Sequence, residues 1–169
     1  MPTEPLLNLF LEAIEDRLLT ITGAPDYWFD LSGTGVVIVG EKATNPTLSP
    51  CQVVIGPTAL GVDDAFTNVH LQGRTATFYI YVMYAGDRGN YKERLKQTHR
   101  IADDVVRSLD PSAFRAAVSA LDADRGNRVV DSTFSVGAFT GLEEQGLGSL
   151  ALQFSIIYDG AIVGDDRGI

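Results

Sequence analysis

Apolar positions recur at three- and four-residue spacing near the start of the chain. Leu6, Phe10, Ala13, Ile14 and Leu18 share a stripe with Arg17, while Glu12, Glu15 and Asp16 fall mainly on the other side. This spacing predicts an amphipathic helix, and Gly23-Ala24-Pro25 stops it. A second helical pattern follows Asp87-Arg88-Gly89. Asn90 is a good N-cap, and Glu93 three residues later completes a pattern like a capping box. Tyr91, Leu95, Thr98, Ala102, Val105, Val106 and Leu109 line one face, and Lys92, Lys96, Arg100, Asp103 and Arg107 occupy the rest. Asp110-Pro111 ends that helix, and residues 112–121 predict a short third one.

Elsewhere the period is two. Ala76, Phe78, Ile80, Val82 and Tyr84 alternate with Thr75, Thr77, Tyr79, Tyr81 and Met83. Leu150, Leu152, Phe154, Ile156 and Tyr158 alternate with Ser149, Ala151, Gln153 and Ser155. Both runs predict strands with one face in a core. Val130, Phe134 and Val136 against Asp131, Thr133 and Ser135 predict a third, with shorter candidates at 36–39, 53–55 and 69–71. The outward set of Tyr79, Tyr81, Met83 and Ile157 is not fully polar. It suits either a second layer of the same domain or a neighbouring subunit, because aromatic residues and Met are enriched at interfaces.

The order is helix, several strands, a helix pair and two strands. Strict β-α-β alternation is absent. The expected fold class is therefore α+β, a mostly antiparallel or mixed β-sheet with two or three helices packed on one face. The chain has 169 residues, which is one domain's worth. We expect a single domain over 1–169, with a long loop at 31–50 and an extension at 160–169.

Charge narrows the function classes. Asp plus Glu number 22 against 13 Lys plus Arg, a net charge of −9. That balance argues against phosphate-driven DNA binding and against docking on anionic lipid. The N-terminal stretch lacks a basic leader and an uninterrupted apolar run, so it is not read as a signal peptide. No run of about 18 apolar residues predicts a membrane-spanning helix. A single cysteine, Cys51, excludes an intramolecular disulfide framework and a Cys-rich zinc site.

The chemistry-bearing residues are sparse. Gly33-Thr34-Gly35 runs into a strand, whereas a phosphate cradle needs a helix N-terminus. Gly146-Leu147-Gly148-Ser149 likewise reads as a turn. His70 and His99 lie on a strand and a helix without an acid at helical spacing on a common face. Each reads as a surface or hydrogen-bonded side chain. Cys51 reads as a buried structural thiol. The acid pairs Asp63-Asp64, Asp103-Asp104, Glu143-Glu144 and Asp165-Asp166 read as solvated surface. Asp122-Ala123-Asp124 lacks the calcium-loop Gly and Glu. No catalytic, cofactor or metal site is expected. The competing class, a small-molecule-binding α+β module or enzyme, requires a deep pocket uniting His70, His99 or Cys51 with acids.

The ordered pattern resembles the tail terminator (tail-completion, head-to-tail joining) proteins of long-tailed bacteriophages with flexible tails. The features that match are the opening helix LLNLFLEAIEDRLL and the Pro-bounded strand SPCQVVIGP. A long strand then leads through a polar turn into a helix, GRTATFYIYVMYAGDRGNYKERLKQTHRIADDVVRSL. The chain closes with a strand pair ending on Tyr, TFSVGAFTGLEEQG and SLALQFSIIYDG. The match runs roughly over 6–159. The resemblance implies a structural virion protein of the tail and neck region, without cofactor or enzymatic activity. It implies a homo-hexameric ring that caps the tail tube and meets the tail tube protein and the head connector. Another neck or tube component of the same particle is the alternative within this class. Tyr79, Tyr81 and Met83 are the candidate subunit interface. Glu143 and Glu144 mark a candidate acidic loop facing the pore or tube. Acidic walls suit a lumen through which DNA passes without being retained. The segments 31–50 and 160–169 exceed what a compact member needs, and each reads as either a partner-contacting arm or a plain loop or end.

Overall fold

The computed structural model describes residues 4–40, 50–62, 73–142 and 146–160. The first apolar stripe folds as α1 (Leu6–Leu19), burying Leu6, Leu9, Phe10, Ala13, Ile14 and Leu18. After it come β1 (Val37–Val39), β2 (Cys51–Val62), β3 (Gly73–Ala85), α2 (Tyr91–Ser108), α3 (Pro111–Leu121), the single turn α4 (Ala123–Gly126), β4 (Val129–Leu142) and β5 (Leu147–Asp159). The predicted strand at 69–71 lies outside the described residues.

Among the described residues the sheet has five strands in the order β1-β2-β3-β5-β4. Only the β1–β2 pair is parallel, and the other three are antiparallel. The α+β expectation therefore holds, with a mixed sheet and its helices on one face. Ala76, Phe78, Ile80 and Val82 of β3 and Leu152, Phe154, Ile156 and Tyr158 of β5 are buried on that face. Phe10 from α1 meets Tyr158 and Phe114 edge-on or tilted, and Phe114 from α3 stands edge-on to Phe154. These rings join α1, α3 and the sheet in one core.

The caps follow the sequence signals. The Asn90 side chain accepts a hydrogen bond from the Glu93 amide, satisfying one of the orphan donors at a helix start. Asp110 caps α3 by accepting from Ser112 and Ala113, with Pro111 in its first turn, where a missing N–H costs nothing. Asp122 ends α3 and caps α4. Arg17 donates to the Ser108 carbonyl at 2.9 Å and so ties α1 to the last turn of α2.

Three expectations need correction. The run 53–55 is the core of a much longer β2, which continues past a bulge between Ile55 and Thr58. On β4, bulges after Val129 and after Val136 break the simple alternation. Val130 is consequently exposed, and Val136, opposite Leu152 on β4 at the margin of the described sheet, is 62% exposed where it borders α2 across a shallow groove. On α2, Tyr91 is 49% exposed, whereas Arg94 and Asp104 are buried.

Candidate interaction surfaces

Two surfaces are candidates for function. The first is the sheet face opposite the helices. Tyr79 and Tyr81 point there and are half-buried. Tyr81 lies over Gly56 of the neighbouring strand, where an added Cβ would stand 2.9 Å from the ring. A glycine on a strand thus lends its space to an aromatic neighbour. Met83 pairs with Gln52, and Val54 with Tyr81. Met83, Gln52 and Val54 are all buried within the single chain. Of the three candidate interface residues, only Tyr79 and Tyr81 offer surface to a partner. The candidate acidic residues Glu143 and Glu144, the candidate His70, and most of the extension at 160–169 lie outside the described residues.

The second surface was not foreseen. Ile21 and Leu31 are fully buried, and the Leu31 amide donates to the Ile21 carbonyl at 2.8 Å. The loop between them is closed at its base and carries Tyr27-Trp28-Phe29. Its inner anchor is Asp104, a carboxylate with no solvent exposure. Asp104 Oδ2 accepts from the Trp28 and Phe29 amides at 2.9 Å each, and Oδ1 accepts from Arg107 Nη2 at 2.9 Å. A buried carboxylate requires such partners, because desolvation of an unpaired charge is costly. The bond to Asp104 in turn holds the Arg107 guanidinium above its usual pKa.

This anchor fixes the backbone while the Trp28 ring projects outward, 59% exposed. The Arg100 guanidinium sits 4.4 Å from the ring centroid, a favourable cation–π distance. Trp28 forms one wall of an open groove of about 490 Å³ along the outer side of α2. Leu95 and His99 line it, and Lys92, Lys96 and Arg100 supply cationic stems and heads. A shallower continuation of about 270 Å³ runs from His99 past Ala102 and Val106 to Val136, Leu150 and Leu152. The exposure of Val136 belongs to that groove.

Chemistry that would make either surface catalytic is sparse. Cys51, at the start of β2, is buried, and its thiol is pushed up to about 11, first by burial and then by Asp30 and Asp104. That favours the inert thiol. His99 is exposed, with its ring edge-on to Phe139 at 6.5 Å. Among the described residues no group of three or more His, Cys, Asp or Glu is placed to hold a metal ion. No helix among them is long and apolar enough to cross a membrane.

The sequence reading placed Asp104 in solvent and passed over Trp28. A signal was present for both. Asp104 lies beside the buried positions 94, 98, 101, 105 and 108 of α2, so an acid there calls for donors. Tyr27-Trp28-Phe29 is an aromatic run outside any helical or strand period, just after the helix stop.

No protein-family model matches the sequence, and no curated protein matches it. Among solved structures, the chain is similar to one from the virion of a native gene transfer agent particle. The TM-score is 0.49 and the identity 16%, over 94% of this chain and 100% of the other.

Proposed function

We propose that this chain is a structural, non-catalytic subunit of a phage-type virion, which caps the end of the tail tube as a hexameric ring and joins it to the head connector. The element order that suggested the tail-terminator resemblance recurs in the fold: an opening helix, a long strand leading through a turn into α2, and a closing hairpin of β4 and β5. The single observation that carries an assembly role is the helix-free sheet face with Tyr79 and Tyr81 half-exposed on it. Helices lie on the other face, so a neighbouring subunit or the tube end is the natural cover for these rings. In this reading Glu143 and Glu144 face the lumen, the net charge of −9 keeps passing DNA from adhering, and the mature protein resides in the neck region of the virion.

The test is native mass spectrometry with negative-stain imaging over a range of protein concentrations, with and without purified tail tubes. Six-fold rings with a central hole that bind tube ends are expected. A monomer under every condition refutes the proposal.

A further inference from the structure

The chain is acidic overall, yet one face of α2 is a row of cations. Lys92, Lys96 and Arg100 follow one another at four-residue spacing along the Trp28 groove, a row of about 12 Å at ~1.5 Å per residue. Among the described residues neither Lys92 nor Lys96 forms a salt bridge. Like charges four apart on a helix repel one another, and within the single subunit, among the described residues, only Arg100 is offset, by the Trp28 ring.

A mirror of it lies on α1. Asn8, Glu12 and Asp16 are exposed at four-residue spacing, with Glu15 beside them. This row also spans about 12 Å, is self-repulsive, and contains no salt bridge among the described residues. Next to it runs a half-buried row of Leu7, Leu11 and Glu15, ending in Leu19 at 40% exposure. The α1 ridge thus offers aliphatic surface edged with three acids. The α2 groove offers an apolar surface of Trp28 and Leu95 edged with three cations, with Asp103, paired to Arg107, at one end. Rows at four-residue spacing are the ridges that interdigitate when two helices pack.

We propose that the α1 ridge of one copy of this chain seats in the α2 groove of the next. The occupant of the groove is a second copy, and the contact is head-to-tail, each subunit presenting the ridge on one side and the groove on another. Such a contact propagates from copy to copy and closes when its rotation permits. This interface deepens the ring reading and rests on it.

The test uses two charge-reversed full-length proteins, K92E/K96E and E12K/D16K, with circular dichroism and Trp28 emission confirming that both fold. Alone, each is expected to need at least tenfold more protein than wild type to assemble, because its reversed surface meets an unreversed one of the same sign. Mixed at equal amounts, they are expected to assemble as wild type does, in even-numbered rings with equal copies of each, since every junction then pairs opposite charges. Native mass spectrometry reads the composition directly. Rings of either variant alone at wild-type concentrations overturn this interface and leave the ring reading standing. Failure of the mixture to assemble better than its components does the same. A wild-type protein that stays monomeric at every concentration overturns both.

Discussion

Replacing Asp104 with asparagine tests the anchor of the Trp28 loop. The carboxylate accepts from two backbone amides and one guanidinium, and it has no exposure to water. An amide side chain of nearly the same volume keeps one oxygen and turns the other position into a donor. At least one of the three donors then faces another donor. Hydrogen bonds to charged groups contribute about 1.5–3 kcal/mol, and leaving a buried donor unpaired adds about 1–3 kcal/mol. Asp104→Asn should therefore cost about 2–4 kcal/mol. With a urea m-value of about 2 kcal/mol/M for a domain this size, the midpoint falls by about 1–2 M at unchanged m. The readout is built in, because Trp28 is the only tryptophan in the chain. Its emission should shift to the red as the loop leaves α2. Arg100→Gln serves as the control. It removes the guanidinium over the ring at a cost of about 0.5–1 kcal/mol, so it should alter emission with little loss of stability. An Asp104→Asn protein with unaltered emission and a midpoint within about 0.3 M of wild type refutes the anchor.

Phe154→Ala removes the ring that stacks on Phe134 and meets Phe114 edge-on. It should lower stability by about 3–5 kcal/mol, measured by urea unfolding. Gly126→Ala would bring a methyl within 2.7 Å of the Ser119 Cα, so α3 and α4 must separate. A loss of about 1–3 kcal/mol is expected, and a thermal midpoint equal to wild type would contradict that close approach. The Cys51 thiol should resist a disulfide reagent at pH 8 in the native state and react in urea. Its folded pKa is raised from 9.0 to about 11. The stability associated with the neutral thiol is therefore fully present below pH 9 and is lost as pH rises from about 9 to 11. Unfolding curves across that window should show the decline, and Cys51→Ser should flatten it.

The elements most legible in the sequence were those whose pattern is set by burial alone. Leu6 to Leu18, Ala76 to Val82 and Leu152 to Tyr158 each contact one continuous core, so their period survives folding unchanged. The cap at Asn90 was legible because it is local chemistry, whereas Asp110 reads from the sequence only as the end of α2 and also caps α3. What was missed depends on partners distant in sequence. Asp104 falls on the buried side of α2, but its donors, the amides of residues 28 and 29, lie some 75 positions away. Val130 follows a strand period that the bulge after Val129 overrides, and Val136 keeps its phase with Phe134 yet is exposed at the sheet margin. Met83 fits an outward interface by alternation, yet it is buried within one chain. The groove on α2 is a fourth instance. Its cations belong to one helix and were visible, but the tryptophan that makes them a site comes from a loop.

Both margins of the described sheet are poor templates for another strand. β1 is three residues long, and β4 is interrupted by two bulges. Main-chain pairing between copies, the route by which exposed strand edges run into fibres, is thereby discouraged. In the proposed ring, association between copies would then rely on side chains. Contacts of that kind weaken with added salt when charges make them, and they can be broken and re-formed while misplaced copies are still being corrected. A ring of the proposed kind would anneal its errors, whereas strand addition would lock them in.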